Sequence, residues 1–432
     1  MNTDTYKDCL KKLFKLGRFG IKLELDTISN ILRFLNSPQK NYRTIHIAGT
    51  NGKGSIGTYI SSILSKAGYK TGLYTSPHLV KFNERFAING IDVSDDEILK
   101  AYKAVDNVDI GKRKGTFFEI ATAMAFYIFS QNKVEFAIIE TGMGGRFDAT
   151  NIITPEVSVI SNLSIEHTDY LGNTIKDLAR EKAGIIKQGK PVVTGVTQPS
   201  GIEFIKQKAK EKSSPLYIFK NDFSIRKTPK TNNFSYNGIL NKLKNIETPL
   251  KGDHQRINAA LALAALELIK LKSNDRKIFT QSNIKQGLKA AKWPGRLEYI
   301  LSKPCVIIDG AHNLHASKVL GNYLKKNFKD KNLTTVIGIL DDKPFETMLK
   351  NITSVSTRII FTKAKIDRSI NPLVLKKAAK KFSRAELIII EDVGKACRFA
   401  INTSKDSDIV CIAGSLYVAG EAKETIDNEF KS

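Results

Sequence analysis

The stretch IHIAGTNGKGSIG, Ile45 to Gly57, gathers an apolar run, clustered glycines, a lysine and a hydroxyl. Glycines let backbone N–H groups approach phosphate oxygens, and a helix N-terminus adds partial positive charge there. Lys53 suits neutralising phosphate charge and Ser55 suits ligating Mg²⁺. The spacing is not the common G-x-x-x-x-G-K-[ST]. Only Thr50 and Asn51 separate Gly49 from Gly52, and Gly54 stands between Lys53 and Ser55. The competing reading is a plain β–α turn. Such a turn needs one or two glycines, not a cluster with lysine and serine.

In open α/β sheets, ligands bind beyond the carboxyl ends of the strands, so the polar residues that follow each apolar run are the next candidates. TSPHL, Thr75 to Leu79, follows one run, and ETGMGGRFDATN, Glu140 to Asn151, follows another. The latter imitates a dinucleotide fingerprint, but Phe147 replaces its third glycine and no helix pattern follows. Glu140 is placed as a metal ligand or as a loop cap. His167, flanked by Glu166 and Asp169, reads as a ligand or as a structural histidine. Lys182 lies between Leu178 and Ile185 on an apolar stripe, where a lysine either snorkels or functions. Later come Asp309 and His312 in IIDGAHN, and GSLYVAGE from Gly414.

These residues need elements to hold them. Periodicity predicts two helices in the first 36 residues, with Leu10, Leu13 and Phe14 on one face and Ile28, Ile31, Leu32 and Leu35 on the other. Strands are expected at Thr44 to Ala48, Thr71 to Thr75, Phe136 to Ile139, Val157 to Ile160 and Pro191 to Gly195. Helices are expected at Ser55 to Ala67, Phe117 to Ser130 and Thr174 to Ile186. The alternation is that of an α/β fold with a mostly parallel sheet. A second alternation follows KWPGRLEY, with strands at Val306 to Asp309, Thr335 to Leu340, Arg358 to Thr362, Leu387 to Glu391 and Ile409 to Ala413. Trp293 to Leu297 is the expected hinge, and the domains divide as 1–296 and 297–432. The lysine-dense stretch Lys206 to Lys251 carries no motif.

A chain of 432 residues with 41% hydrophobic residues can build two cores. The cysteines Cys9, Cys305, Cys397 and Cys411 lack C-x-x-C spacing and read as reduced thiols. The polar N-terminus has no apolar h-region, and no apolar run reaches the ~20 residues of a membrane helix. A cytoplasmic protein is expected. Its charge of +25 favours anionic partners, or is simply a solubilising surface. A nucleic-acid-dependent P-loop ATPase or binding module is the rival that this charge suggests. No RNP, KH or helix-turn-helix pattern supports it.

Taken in order, AGTNGKGS, TSPHL, ETGMGGRFDATN, EHTDYLGNT, EKAGIIK, GDHQRINAALA, WPGRLE, DGAHN and AGSLY closely resemble the folylpolyglutamate synthases and bifunctional dihydrofolate synthases of the Mur ligase superfamily. The resemblance spans roughly residues 10 to 420. It implies a P-loop-containing Mur-ligase-like ATPase domain and a smaller Rossmann-like C-terminal α/β domain. The implied activity is ATP-dependent ligation of L-glutamate to dihydropteroate or to a reduced folate through an acyl phosphate. Carried over by motif, Gly49 to Ser55 hold ATP, together with Asn258, Arg296 and Asp309. Ser55, Glu140 and His167 hold metal, with two Mg²⁺ expected, and Lys182 matches the lysine that this family carbamylates. Thr75, Ser76, Pro77, His78, Arg85, His312 and Ser415 match positions near folate or glutamate, and Lys53, Lys182, Asp309 and His312 are the catalytic set. The implied partners are these small molecules alone, on a monomer. A Mur-type ligase acting on a UDP-muramyl peptide is the nearest rival. Glu166 in place of Asp, and Met143 and Phe147 in place of Leu, are departures that remove no proposed ligand.

Overall fold

The computed structural model describes residues 5–16, 24–108, 115–166, 168–229, 231, 233–273 and 280–431. The chain divides into two compact units. One comprises Met1–His78, Phe82–Pro249 and Asp253–Lys292; the other comprises Leu79–Lys81, Leu250–Gly252 and Trp293–Ser432.

The first unit is built on an eight-stranded sheet in the order β4-β3-β2-β5-β1-β6-β7-β8. Its strands are β1 (Arg43–Ala48), β2 (Thr71–Tyr74), β3 (Phe86–Ile88), β4 (Ile91–Asp92), β5 (Phe136–Glu140), β6 (Val157–Ile160), β7 (Val192–Thr194) and β8 (Leu216–Ile218). All pairings are parallel except those of the β3–β4 edge. β1 lies between β5 and β6 and is buried from Thr44 to Ala48, so both its faces carry packed side chains. Ile47 meets Glu140 in register across the β1–β5 pair, so the loop after β1 and the carboxylate ending β5 emerge side by side.

Helices Tyr6–Leu16, Asp26–Phe34 and Phe117–Gln131 supply apolar faces to a core that includes Leu13, Ile31, Met124 and Phe129. The helix expected from Ser55 begins two residues earlier, as Lys53–Lys66, because Gly52 caps it at φ 85°. The helix expected at Thr174 to Ile186 is shorter. It runs Ile175–Lys182 and tightens into a 3₁₀ turn at Ala183–Ile185, where any Cβ on Gly184 would collide with the Arg146 backbone.

The lysine-dense stretch holds structure that periodicity missed. It contains the C-terminal end of the helix Pro199–Glu211, the edge strand β8 and a three-stranded antiparallel sheet of β9 (Ser224–Lys227), β10 (Phe234–Asn237) and β11 (Lys242–Ile246). This sheet is pinned to the long helix Asp253–Ser273 by the buried Glu267. The carboxylate accepts from the Tyr236 hydroxyl (2.9 Å), the Ile239 and Asn241 amides (2.8 Å each) and Asn241 Nδ2 (3.0 Å).

The second unit has its own six-stranded sheet, β12-β13-β17-β14-β15-β16. Its strands are β12 (Glu298–Ser302), β13 (Cys305–Ile308), β14 (Leu333–Ile337), β15 (Arg358–Lys363), β16 (Glu386–Asp392) and β17 (Ile409–Ala413). β12 is an antiparallel edge strand that the sequence reading did not anticipate; the rest are parallel. Clusters around Leu320, Leu349 and Phe361 and around Val410, Ala419 and Ile426 give this unit its own core. The half-buried Trp293, the chain's single tryptophan, opens its main segment.

Candidate active site

The glycine loop is braced from below. Gly49 stands at φ 148°, and a Cβ there would collide with the Ser161 hydroxyl. Thr50 N donates to Asn162 O (3.0 Å), and Asn51 N donates to Asn162 Oδ1 (3.0 Å). Ser161 Oγ and Asn162 Nδ2 both donate to Asn51 O, at 2.7 and 3.0 Å. An added Cβ on Gly52 would lie 2.6 Å from Asn258 Oδ1, so Asn258 closes directly over the left-handed cap. No side chain caps the helix that begins at Lys53. A helix end left open in this way is an anion site by its own dipole.

Lys53 folds back over the loop, with Nζ donating to Gly49 O at 3.0 Å and to Thr50 O at 3.2 Å. It also lies 3.7 Å from Glu140 Oε1, and both side chains are nearly buried. Ser55 is buried in the first turn of the same helix. Glu140 and Ser55 therefore stand on neighbouring elements at one end of the sheet. Among the described residues, no group of three or more His, Cys, Asp or Glu side chains converges to hold an ion. A carboxylate and a hydroxyl beside a phosphate cradle fit Mg²⁺, which keeps waters and substrate oxygens as its remaining ligands. His167, the other expected ligand, lies outside the described residues.

Lys182 is 1% exposed, and its Nζ is 3.7 Å from Glu166 Oε1. Burial pushes its pKa down to about 8; Glu166 opposes that shift, and the Lys53 charge adds to it. The amine does not reach solvent, so Lys182 does not snorkel to the surface. Asp148, wholly buried, has its carboxyl pushed up by burial against hydrogen bonds from Thr150 and the Met143 amide.

A second group in this unit surrounds His78. Arg85 Nε donates to His78 Nδ1 at 2.9 Å, and its guanidinium lies 5.1 Å from the Phe117 ring centroid and 5.7 Å from that of Phe82. Burial, with Arg85 beside it, takes the His78 pKa down to about 3. Phe14 stacks on Phe117. Thr75 N donates to Arg85 O at 3.0 Å, and Ser76–Pro77 is a cis peptide. The result is a neutral imidazole and a buried cation among aromatic rings.

In the second unit, Asp309 follows β13 and accepts from Leu297 N and Ala311 N, both at 2.8 Å. Burial raises its pKa, and Arg296 opposes this. A Cβ on Gly310 would meet Arg296 Nη1 at 2.6 Å, so the guanidinium packs on that turn. His312 Nδ1 donates to Gly310 O at 2.8 Å. Ser415 caps the helix Leu416–Glu429 by accepting from Val418 N.

The structure thus gathers Gly49 to Ser55, Glu140, Lys182 and Asn258 in the first unit, and Thr75 to His78 with Arg85 in another part of it. Arg296, Asp309 and His312 come together in the second unit, with Ser415 following the neighbouring strand β17. Sequence reasoning missed Asn162 and Ser161 beneath the loop, Glu166 as the partner of Lys182, and the rings around Arg85. Only Glu166 had a visible signal, its place beside His167 at a strand end.

The Mur ligase middle domain matches residues 47–266, and the Mur ligase glutamate ligase domain matches residues 295–416. The chain is 36% identical over 432 residues to the Bacillus subtilis dihydrofolate synthase/folylpolyglutamate synthase, covering 98% of this chain and 99% of that one. It superposes on E. coli FolC, solved in complex with DHPP and ADP, with a TM-score of 0.90, 30% identity and full coverage of both chains. The bifunctional synthase from Yersinia pestis, solved with AMPPNP and a Mn ion, gives a TM-score of 0.87 at 29% identity over 98% of each chain. The chain belongs to the folylpolyglutamate synthase/dihydrofolate synthase family of Mur ligases.

Proposed function

We propose that this ligase couples ATP to the joining of L-glutamate, either to dihydropteroate or to the γ-carboxylate of a reduced folate. The observation that carries the reading is the open helix end at Lys53 with Glu140 and Lys182 beside it, in a chain that matches these synthases over its whole length. ATP phosphorylates the acceptor carboxylate, the glutamate amine attacks the acyl phosphate, and phosphate leaves. This chemistry asks for positioning and masked charge more than for an acid–base pair.

The loop amides and Lys53 hold phosphate, and Asn258 closes over Gly52 on the nucleotide side. Ser55, Glu140 and His167 are the proposed metal ligands; Mg²⁺, when bound, masks phosphate charge and favours attack by the amine. Burial that lowers the Lys182 pKa to about 8 makes its amine easier to neutralise than an exposed lysine's, and a neutral amine is the form that takes up CO₂ as a carbamate. We assign that carbamate the role of a further carboxylate beside the second metal. Arg85 and His78 are assigned to the folate acceptor. In the second unit, Arg296 and Asp309 are assigned to nucleotide, and His312 and Ser415 to glutamate. A monomer acting in the cytoplasm completes the reading. No helix among the described residues is long and apolar enough to cross a membrane.

Phosphate release from ATP and glutamate, assayed separately with dihydropteroate and with tetrahydrofolate, tests the proposal and sorts the two acceptors. Stimulation by either supports it. Stimulation only by a UDP-muramyl peptide, or only by DNA or RNA, overturns it.

A further inference from the structure

On the face of β1 opposite the Lys53–Lys66 helix lies a chain of hydrogen bonds that the proposed chemistry does not use. Ile47 packs towards the Lys53–Lys66 helix, where a Cβ on Gly57 would touch it, so the alternation of the strand turns His46 to the other face. There His46, wholly buried, meets Thr150 Oγ1 through Nε2 at 2.8 Å. The Thr150 hydroxyl has one proton and donates it to Asp148 Oδ1 at 2.5 Å, so it accepts from His46. That fixes the His46 proton on Nε2 and leaves Nδ1 buried with no partner. Asp148 also accepts from Thr150 N (3.0 Å) and Met143 N (2.9 Å), which gathers the 143–150 loop around one carboxylate.

The same loop grips the helix end that carries Lys182. Arg146 N donates to Glu181 O at 2.8 Å, and Asn151 Nδ2 bridges Arg146 O (2.9 Å) and Gly184 O (3.1 Å). Gly145 allows the contact, since a Cβ there would lie 2.9 Å from Glu181 O and 3.2 Å from Lys182 O. Lys187 Nζ closes the clasp on Asn151 O at 2.7 Å.

We propose that His46 is a positioning residue, which acts through Thr150 and Asp148 to hold the 142–151 loop and, through that loop, the placement of the Lys182 amine. Its effect on turnover rests on the ligase reading above; its effect on the loop does not. Without the His46 donor, the Thr150 hydroxyl is free to turn from Asp148, and the amides that Asp148 and Glu181 hold become free to open. Outer partners of this kind typically change activity by about 10- to 100-fold when removed.

The test compares His46→Leu, His46→Gln and Thr150→Val by amide hydrogen exchange and by steady-state kinetics. In His46→Leu and Thr150→Val, the Met143, Arg146 and Thr150 amides are expected to exchange at least about tenfold faster. The amides of β1 and β5 stay at the wild-type rate. The kcat falls by about 10- to 100-fold while the KM for ATP stays within about twofold. Glutamine at position 46 can still donate to Thr150 and restores both readouts. Unchanged exchange at the three amides overturns the proposal, and so does equal acceleration across the whole sheet, which would mean lost packing only. A further fall in kcat when His46→Leu is added to Lys182→Met also overturns it, because the effect would not pass through Lys182. If the wild type ligates no glutamate, the ligase reading fails alone, and the exchange data still decide the role of His46.

Discussion

At the scale of single residues, two lysines each lie 3.7 Å from a glutamate, Lys53 from Glu140 and Lys182 from Glu166, in different surroundings. Lys53 lies over the loop, with its amine on Gly49 O and Thr50 O. Lys53→Ala is expected to lower kcat/KM by about a hundredfold or more, a loss of roughly 3 kcal/mol, while the melting temperature moves by only about 3 °C. A large fall in melting temperature would instead make the lysine a structural part of the turn. Lys182 is buried, with its pKa depressed to about 8. A lysine depressed in the fold costs stability while it must stay charged, and that cost is relieved between pH 8 and its unfolded value, where the unfolded chain binds the extra proton. The gap in unfolding free energy between Lys182→Met and wild type should therefore favour the variant at pH 7. It should narrow as pH rises from 8 towards 10, by on the order of 3 kcal/mol in all. In CO₂-free buffer, where no carbamate forms, a pH-independent gap would place the amine in contact with water. Lys182→Ala should lose most turnover, and added bicarbonate should not restore it, since the amine that forms the carbamate is gone. The positions of these residues were legible because Gly49 to Ser55, Glu140 and Lys182 each follow a strand or sit on a helix face that the sequence marks. His46 was not legible. Its partner Thr150 is 104 residues away, and no local pattern announces a contact between a mid-strand imidazole and a distant turn.

At the scale of elements, the sheet of β9 to β11 shows what periodicity cannot see. Only Phe234 and Tyr236 alternate, and beside the register shift in the β10–β11 pair the buried Leu243 and Ile246 stand three residues apart. Glu267 of the helix beneath holds the β10–β11 turn, while Asp253 and Arg256 of the same helix pair with Lys227 and with Thr231 O. Glu267→Leu should destabilise the protein by about 2–4 kcal/mol, because it leaves the Tyr236 hydroxyl and the turn amides without their acceptor. Urea unfolding would measure this, and a shift below about 0.5 kcal/mol would mean that the turn finds other acceptors. The 3₁₀ turn after Lys182 was hidden for a related reason. The apolar stripe continues through Ile185, but the close approach of Gly184 to Arg146 ends the α-helix first.

At the scale of the molecule, each unit carries a sheet and a core of its own. A fragment of residues 293–432 is expected to unfold cooperatively in urea with a far-ultraviolet spectrum of mixed helix and strand. A broad, non-cooperative loss of signal would show that the short segments 79–81 and 250–252, which belong to the same unit, are needed to complete it. The division into two α/β halves was readable from the break in alternation at KWPGRLEY, where the strand run restarts. The edge strand β12 was not, because it pairs antiparallel with β13 across a turn of only two residues and carries a bulge.

Trp293 opens the main segment of the second unit, three residues before Arg296. With no other indole among 432 residues, ultraviolet emission excited at the red edge of the spectrum comes from this one turn alone. The protein therefore carries its own optical label. Nucleotide or glutamate binding can be sought in this emission without a dye, and any response can be traced to the surroundings of a single side chain.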